Sequence, residues 1–309
     1  MILSPQLHRW RRQLYDNPYI LLTLTAFFFG GNTIAGRLAV GEASPYQIVT
    51  LRWIVVFMIL CVWQRGRMIE AWRQARPRAL WIFLMGTLGL TLFNTLFYEA
   101  AHRTSAVNLG IIQGTIPVWV LLGSLVFYGV RFGVLQGVGV LLTAAGAILL
   151  ASQGDLVALI RLNINNGDFM MFIACFIYAG YTVALKKRPP LSSVLFFSLL
   201  AGAALLSSLP LMCYELFFSD VPWPTTRGWG LIVLIALFPS FLSHVFYIRG
   251  IEILGPGRAG VFINLVPVFA VLLAVLLLDE PIFWFQGIAL LLVLLGIWLA
   301  EKRAKRDSY

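Results

Sequence analysis

Side chains that could carry nucleophilic, acid–base or metal chemistry are few in this 309-residue sequence, and they do not cluster. Its three histidines and three cysteines show no metal-ligand spacing, and no HExxH, GxSxG or DxxD motif occurs. Cys61, Cys175 and Cys213 stand alone in apolar stretches, as small buried residues do. We therefore expect no enzymatic active site, no metal and no cofactor.

Uncharged polar residues within the apolar stretches are more informative. An amide or hydroxyl without a partner is costly in hydrocarbon, so such residues should face protein or a watered cavity instead of lipid. For each of these residues, the alternative to a role in a substrate pathway is that it only holds neighbouring helices together. The ten residues that we predict to bind a substrate are Asn32, Thr33, Asn94, Tyr98, Gln113, Tyr178, Tyr181, His244, Tyr247 and Asn264.

Helical spacing places some of these residues together. Asn94 and Tyr98 are four residues apart, so they share one helical face, and His244 and Tyr247 share another at a spacing of three. Tyr178 offers an aromatic face on which a planar or cationic solute could stack. The predicted site has Tyr178 and Tyr181 facing Asn32, Asn94 and Tyr98, with His244 and Asn264 nearer the cytoplasm.

Few ionisable residues fall well inside the apolar stretches, where a charge costs about 2.5–3.5 kcal/mol at the bilayer centre. Arg52 either ties neighbouring helices together or binds a substrate carboxylate through its planar fork, and we favour the structural role. His244 either packs or titrates. Acidic residues fall at the ends of the stretches and not at their midpoints. Proton coupling and passive facilitation therefore both stay open.

The apolar stretches themselves predict an all-α membrane protein with ten transmembrane helices. Apolar residues make up 60% of the chain and charged residues 12%, and each span needs roughly 20 residues. A β-barrel is excluded because runs such as Val268–Leu278 are apolar on every face. The predicted spans are Pro18–Gly36, Tyr46–Trp63, Ala79–Tyr98, Ala106–Phe127, Phe132–Ala151, Phe169–Leu185, Leu191–Phe217, Trp229–Tyr247, Gly257–Leu278 and Ile282–Leu299.

The net charge of +10 follows membrane topology instead of indicating a nucleic-acid partner. With the N-terminus inside, 18 basic residues fall on the cytoplasmic side and 4 on the other, as the positive-inside rule requires. We therefore expect a multi-pass protein of a bacterial inner membrane with both termini in the cytoplasm. Its partners are the lipid bilayer and a small-molecule substrate, and its oligomeric state is open.

The two halves of the chain repeat each other. Pro117, Gly137 and Gly146 correspond at a constant offset to residues of the second half, which are Pro267, Gly287 and Gly296. Each half holds five predicted spans, an odd number, so the second copy enters the bilayer from the opposite face. This predicts two inverted five-helix repeats, at 1–151 and 167–300, followed by a cytoplasmic tail at 301–309.

Several motifs together resemble the EamA-type exporters of the drug/metabolite transporter superfamily. They are Gly257-Arg258-Ala259, Pro267, Leu278-Asp279-Glu280-Pro281, Gly287 and Gly296, with Arg52-Trp53 in the second span. Val130 stands where Glu280 stands in the second half, so a role for the acidic turn beyond structure stays open. Within the family, the aromatic content is most similar to that of bacterial aromatic amino-acid and amphiphile exporters.

These features together predict a secondary transporter that works by alternating access. Its expected substrates are small amphipathic metabolites for export, first of all amino acids, including aromatic ones. Spans one, three, four, six, eight and nine carry the polar residues and should line a central cavity. Spans five and ten should lie at the periphery or at a dimer seam. An integral membrane enzyme and a lipid-handling protein are the alternatives, the latter favoured if the polar residues face the bilayer.

Overall fold

The computed structural model describes residues 16–129, 133–154, 165–254 and 262–301, and these ranges contain helices and no strand. Within them, ten principal helices follow one another with short connections. Their bounds are α1 Pro18–Leu38, α2 Pro45–Trp63, α3 Arg67–Ala101, α4 Ala106–Tyr128, α5 Val134–Ala151, α6 Asn166–Lys187, α7 Ser193–Phe218, α8 Thr226–Leu254, α9 Val266–Leu278 and α10 Trp284–Glu301.

Seven of the helices, α1 to α4 and α6 to α8, are long and apolar enough to cross a membrane. The other three, α5, α9 and α10, are shorter and also apolar. The predicted all-helical membrane architecture is therefore confirmed, whereas ten complete crossings stay a prediction. The apolar side chains on the outer surface, such as Leu141 and Leu291, suit contact with acyl chains.

The predicted spans match most of these helices to within a few residues, but α8 continues to Leu254, well past the predicted end at Tyr247. The predicted start of the ninth span, Gly257, lies outside the described residues; Phe262 and Ile263 are helical, the chain turns at Asn264 and Leu265, and α9 begins at Val266. The third helix extends back to Arg67 through an amphipathic first segment, Arg67–Ala75, which the sequence suggested was a loop. Gly257-Arg258-Ala259, the chain before Asp16 and the tail after Glu301 lie outside the described residues.

Local structure repeats between the halves in the register expected from sequence. The second part of α4, Ile116–Tyr128, and helix α9 begin and end at corresponding positions, and each has a turn before its proline. Each is also followed by a residue with left-handed backbone, Gly129 or Asp279. Proline is tolerated at these helix starts because its missing N–H would have no partner within the helix.

Two π-helical segments interrupt α3 and α8 at related positions. They are Thr87–Leu92 and Ala236–Leu242, which begin at corresponding places in the two halves. In the second, Pro239 cannot donate, and the hydroxyl of Ser240 donates to the carbonyl of Ile235, 2.7 Å away. Pro239 has no proline at its counterpart, but the backbone irregularity that surrounds it is shared. Such π segments are frequent at functional positions in helices.

Helices α5 and α10 pack against each other through the glycines that first revealed the repeat. A Cβ on Gly146 would lie 2.9 Å from the carbonyl oxygen of Ala289, and one on Gly296 would lie 2.6 Å from that of Gly139. Ala289 and Gly139 are themselves counterparts in the two halves, so the contact is related by the repeat. Glycine permits this close approach of two backbones.

Polar contacts divide the connections between helices into two sets at opposite ends of the bundle. One set contains the contacts of Arg37 with Glu280, Arg227 with Glu42, and Ser44 with Glu215. The other contains Arg249 with Asp16 and Arg78 with the Lys187 carbonyl. This division matches the alternating direction of successive helices.

Candidate functional site

A buried hydrogen-bond chain joins α1, α2 and α3 around Arg52. Its Nη1 donates to Oδ1 of Asn94 and to the hydroxyl of Tyr98, each at 2.9 Å. The Tyr98 hydroxyl in turn donates to Oδ1 of Asn32 at 2.8 Å. Three of the predicted residues therefore meet at one point, together with the arginine that we had interpreted as structural.

This cluster is shielded from solvent and stacked with aromatic rings. Asn94 and Arg52 are buried, and Tyr98 is fully so. The guanidinium carbon of Arg52 lies 4.7 Å from the ring centroid of Trp53 and 5.9 Å from that of Tyr98. Cation–π contacts of this kind partly replace the water that a buried guanidinium loses. The side chains of Arg52 and Trp53 are therefore in contact with each other, which the sequence motif alone did not show.

An aromatic group from α6 lies next to the cluster. Tyr178 packs against Phe93, the residue before Asn94, with ring centroids 4.7 Å apart, and against Tyr181 at 5.4 Å. The ring of Tyr181 covers Gly89 in the π segment of α3, where any Cβ would collide with it. The structure therefore brings Tyr178 and Tyr181 against α3 at Phe93 and Gly89, close in sequence to Asn94.

His244 is linked to the arginine cluster by aromatic rings of α7 and α2. Its ring stacks on Phe197 with centroids 4.5 Å apart and an interplanar angle of 9°. Phe197 also contacts Trp53, with centroids at 6.4 Å. Nδ1 of His244 lies 2.7 Å from the carbonyl oxygen of Ser240. His244 therefore joins the arginine cluster through two aromatic rings instead of by direct contact, and Tyr247 follows it on α8.

The remaining predicted residues lie elsewhere. Gln113 ends the first part of α4, just before its turn, and Asn264 lies in the turn before α9; the two segments meet where Gly114 faces the ring of Pro267. No hydrogen bond among the described residues connects either of them to the arginine cluster. The side-chain oxygens of Gln113 and Thr33 are buried and have no hydrogen-bond partner among those residues. Such atoms are costly unless water or a ligand satisfies them.

A second buried polar network was missed by the sequence analysis. Asp168 is completely buried near the start of α6, and its carboxylate accepts from Thr104 at 2.5 Å and from Nδ2 of Asn108. The amide oxygen of Asn108 accepts from Gln286 at 2.7 Å, which extends the network to α10. We had set Asp168 aside because it falls at a helix end. Position along a helix does not reveal whether neighbouring helices cover that end.

Glu280 caps the first turn of α4. Its two carboxylate oxygens accept from the backbone N–H groups of Ala106 and Val107, both at 3.1 Å, and Arg37 lies 4.0 Å from Oε1. A carboxylate at this end of a helix interacts favourably with the helix dipole. The acidic turn of the family motif therefore has a structural role, and Val130, its counterpart, lies outside the described residues.

Comparison with known proteins agrees with this architecture. The model of the EamA-like transporter family matches residues 17–152 and 165–301. YyaM of Bacillus subtilis (strain 168), called an uncharacterized transporter, is 26% identical over 95% of this chain and 96% of its own. YdeK of the same organism, also called an uncharacterized transporter, is 27% identical over 94% and 98%.

A solved crystal structure shares the fold. It has a TM-score of 0.64 at 20% identity and covers 94% of this chain and 98% of its own. Two family matches in one chain, one in each half, agree with the repeated helices α4–α5 and α9–α10. The apolar helices and the transporter relatives together make this a multi-pass membrane protein. The chain belongs to the EamA-like transporter family, within the drug/metabolite transporter superfamily.

Proposed function

We propose that this protein is a secondary transporter that exports small amphipathic metabolites across a bacterial inner membrane. Amino acids, including aromatic ones, are the substrates that we put forward first. The observation that carries the proposal is the buried chain of Asn32, Tyr98, Arg52 and Asn94, held inside an apolar helical bundle. Buried polar groups within membrane helices are expensive and mark substrate pathways.

The neighbouring rings suit the apolar part of such a solute. Tyr178, Tyr181 and Phe93 form a contiguous aromatic group beside Asn94. A solute could stack its apolar portion there while amide and hydroxyl groups replace the water that it gives up. The other predicted residues are proposed to contribute along the pathway, with Gln113 next to the turn within α4 and Asn264 in the turn before α9.

Alternating access is the mechanism that we propose. In the inverted-repeat arrangement, each five-helix unit can adopt the conformation of the other, which moves the access path from one face to the opposite face. The shared π segments and the shared turns before Pro117 and Pro267 are local irregularities at which helices can bend. Whether a proton gradient drives this motion is a question for the transport assay.

The burial of the polar residues weighs against a lipid-handling protein. Thr33, Asn94 and Tyr98 lie inside the bundle and not on its acyl-facing surface. For an integral membrane enzyme, the described residues offer no group of three or more potential metal ligands. Transport accounts for the buried amides and rings with one function.

The test uses purified protein in liposomes and a panel of labelled amino acids. Asn94→Ala and Tyr178→Ala should each lower transport several-fold. The first removes an acceptor from buried Arg52, at a cost of about 1–3 kcal/mol, and the second removes the ring that packs against Phe93 and Tyr181. Leu291→Ala, at an exposed apolar position of α10, is the control and should leave transport unchanged. Flux within twofold of wild type for every transported solute, in both variants, would rule out this site. Imposing and then collapsing a proton gradient distinguishes coupled from passive transport.

A further inference from the structure

We propose that Arg52 binds the carboxylate of the transported solute, so that this carrier takes carboxylate-bearing amphipathic substrates. This inference rests on the proposed transport function and narrows its substrate class. It depends on which N–H groups of the guanidinium are already used, and on the charges that surround it.

The guanidinium is held by one nitrogen only. Nη1 uses both of its N–H groups, one on Asn94 and one on Tyr98. Nε is buried and has no hydrogen-bond partner, and Nη2 makes no hydrogen bond to any described residue. The unused edge, Nε with Nη2, is one that presents two parallel N–H groups to a carboxylate.

The charge of Arg52 is also uncompensated. Its two hydrogen-bond acceptors, an amide and a phenol, are neutral. The ion pairs of the described residues all involve other arginines, which are Arg37, Arg103, Arg227 and Arg249. Removing one partner of a buried ion pair is strongly destabilising, so a buried cation without an anion is poised to gain one. A substrate carboxylate would supply both the missing charge and two acceptors.

A second unsatisfied donor lies beside the arginine. The indole Nε1 of Trp53 is buried and has no hydrogen-bond partner among the described residues. The Arg52 guanidinium lies over the Trp53 ring, so two adjacent residues present N–H groups that lack acceptors. Unsatisfied buried donors are rare in folded proteins, and each calls for an explanation. An anionic acceptor that reached both N–H groups would satisfy them.

The experiment compares the entry of three solutes that share a phenyl ring into proteoliposomes of the wild-type protein, with entry into protein-free liposomes subtracted. L-Phenylalanine and 3-phenylpropionate carry a carboxylate, and L-phenylalaninamide has an amide in its place. We expect the two carboxylates to enter about tenfold faster or more, because a charge-assisted hydrogen-bond pair is worth at least one such factor. Equal entry of the amide would overturn the proposal, without need of any variant.

Two substitutions separate binding from structure. Arg52→Lys keeps the charge but loses the fork, and we expect a KM for 3-phenylpropionate raised about tenfold with a smaller change in maximal rate. Arg52→Gln should abolish the preference for carboxylates. Arg73→Gln, an exposed charge on the first segment of α3, is the matched control. Size-exclusion profiles and melting temperatures show whether each variant folds.

The outcomes distinguish this inference from the transport function. If solutes enter wild-type liposomes but carboxylates have no advantage, or if Arg52→Gln retains that advantage, the role of Arg52 is wrong and transport stands. If no amino acid or aromatic acid enters wild-type liposomes, transport itself is contradicted, and the role of Arg52 with it.

Discussion

Arg52 is the residue on which the candidate site converges. Two helices, α1 and α3, contribute its immediate network, through Asn32, Asn94 and Tyr98. Its structural and substrate-binding roles are compatible, because they use different edges of one guanidinium. One nitrogen ties α2 to α3 in the way that we first favoured from the sequence, and the opposite edge makes no hydrogen bond to a described residue.

Tyr98→Phe tests the structural part of this network. The change removes a hydroxyl that accepts from Arg52 and donates to Asn32, and leaves both of those partners without it. We expect the free energy of unfolding to fall by about 1–3 kcal/mol, with lower transport. Thermal melting in detergent measures the loss. Tyr214→Phe, on an exposed ring of α7, is the control, and equal melting of the two variants would contradict a structural role for the Tyr98 hydroxyl.

Glu280→Gln tests the cap on α4. A neutral amide has one acceptor oxygen where the carboxylate has two, and it loses the favourable interaction with the helix dipole. The expected cost is about 1–2 kcal/mol in the free energy of unfolding. Asp279→Asn is the neighbouring control, because asparagine also tolerates the left-handed backbone found there. If the two variants were equally stable, the capping role of Glu280 would be refuted.

For single residues, the sequence predicted which side chains share a helical face better than it predicted their partners on other helices. The helical spacing of Asn94 and Tyr98 correctly placed them on one face, where both bind Arg52. The buried Asp168 was not recognised, because its partners, Thr104 before α4 and Asn108 on α4, come from another part of the chain, and Asn108 in turn binds Gln286 of α10. These helices are distant in the chain. Glu215, which binds Ser44 at the start of α2, was missed for the same reason.

At the scale of elements, some glycines of α5 and α10 lie in close contact with the neighbouring helix and others have open space beside them. Substitution by alanine distinguishes the two kinds. Gly296→Ala would place a Cβ against Thr143 and 2.6 Å from the carbonyl of Gly139. Overpacking of this kind costs about 1–3 kcal/mol, so the melting temperature should fall. Gly287→Ala meets nothing within 4 Å and should be neutral or slightly stabilising. The reverse order of stability would contradict the observed pairing of the two helices.

Two glycine substitutions on either side of the contact between the π segment of α3 and Tyr181 form a second matched pair of variants. In Gly89→Ala, the added methyl group collides with the ring of Tyr181, so we expect displacement of that ring and lower transport. Gly180→Ala, at the residue next to Tyr181, has open space and should transport as wild type does. Uptake of labelled amino acids by the two variants checks this. Normal flux in Gly89→Ala would show that Tyr181 takes no part in transport.

Sequence patterns predicted most helix bounds, but not their interruptions. Apolar runs identify a membrane helix by length and composition, and a π segment or a turn inside such a run has the same composition. The correspondence of Gly137 with Gly287 nevertheless anticipated a structural repeat, since α5 and α10 begin at positions related by that same offset. The constant offset between the two halves therefore gave information on helix packing that the amino-acid composition did not give.

At the scale of the whole molecule, the expected topology has both termini in the cytoplasm. We expect an impermeant thiol reagent outside spheroplasts to label Asp220→Cys, between α7 and α8, and to spare Arg73→Cys. Both are made in a variant whose three native cysteines are replaced, because Cys213 is exposed. Permeabilised cells provide the control, in which both sites should react. Labelling of Arg73→Cys alone from outside would reverse the orientation and the direction of export.

Counterflow in proteoliposomes tests the central claim, that the chain is a carrier, most directly. Liposomes loaded with an unlabelled amino-acid mixture are diluted into a trace of the same labelled mixture. A carrier with alternating access exchanges internal solute for external label, so we expect label to accumulate transiently inside above its external concentration. Asn94→Ala should reduce that overshoot several-fold. Label entry no greater than in protein-free liposomes, or entry without any overshoot, would contradict the account.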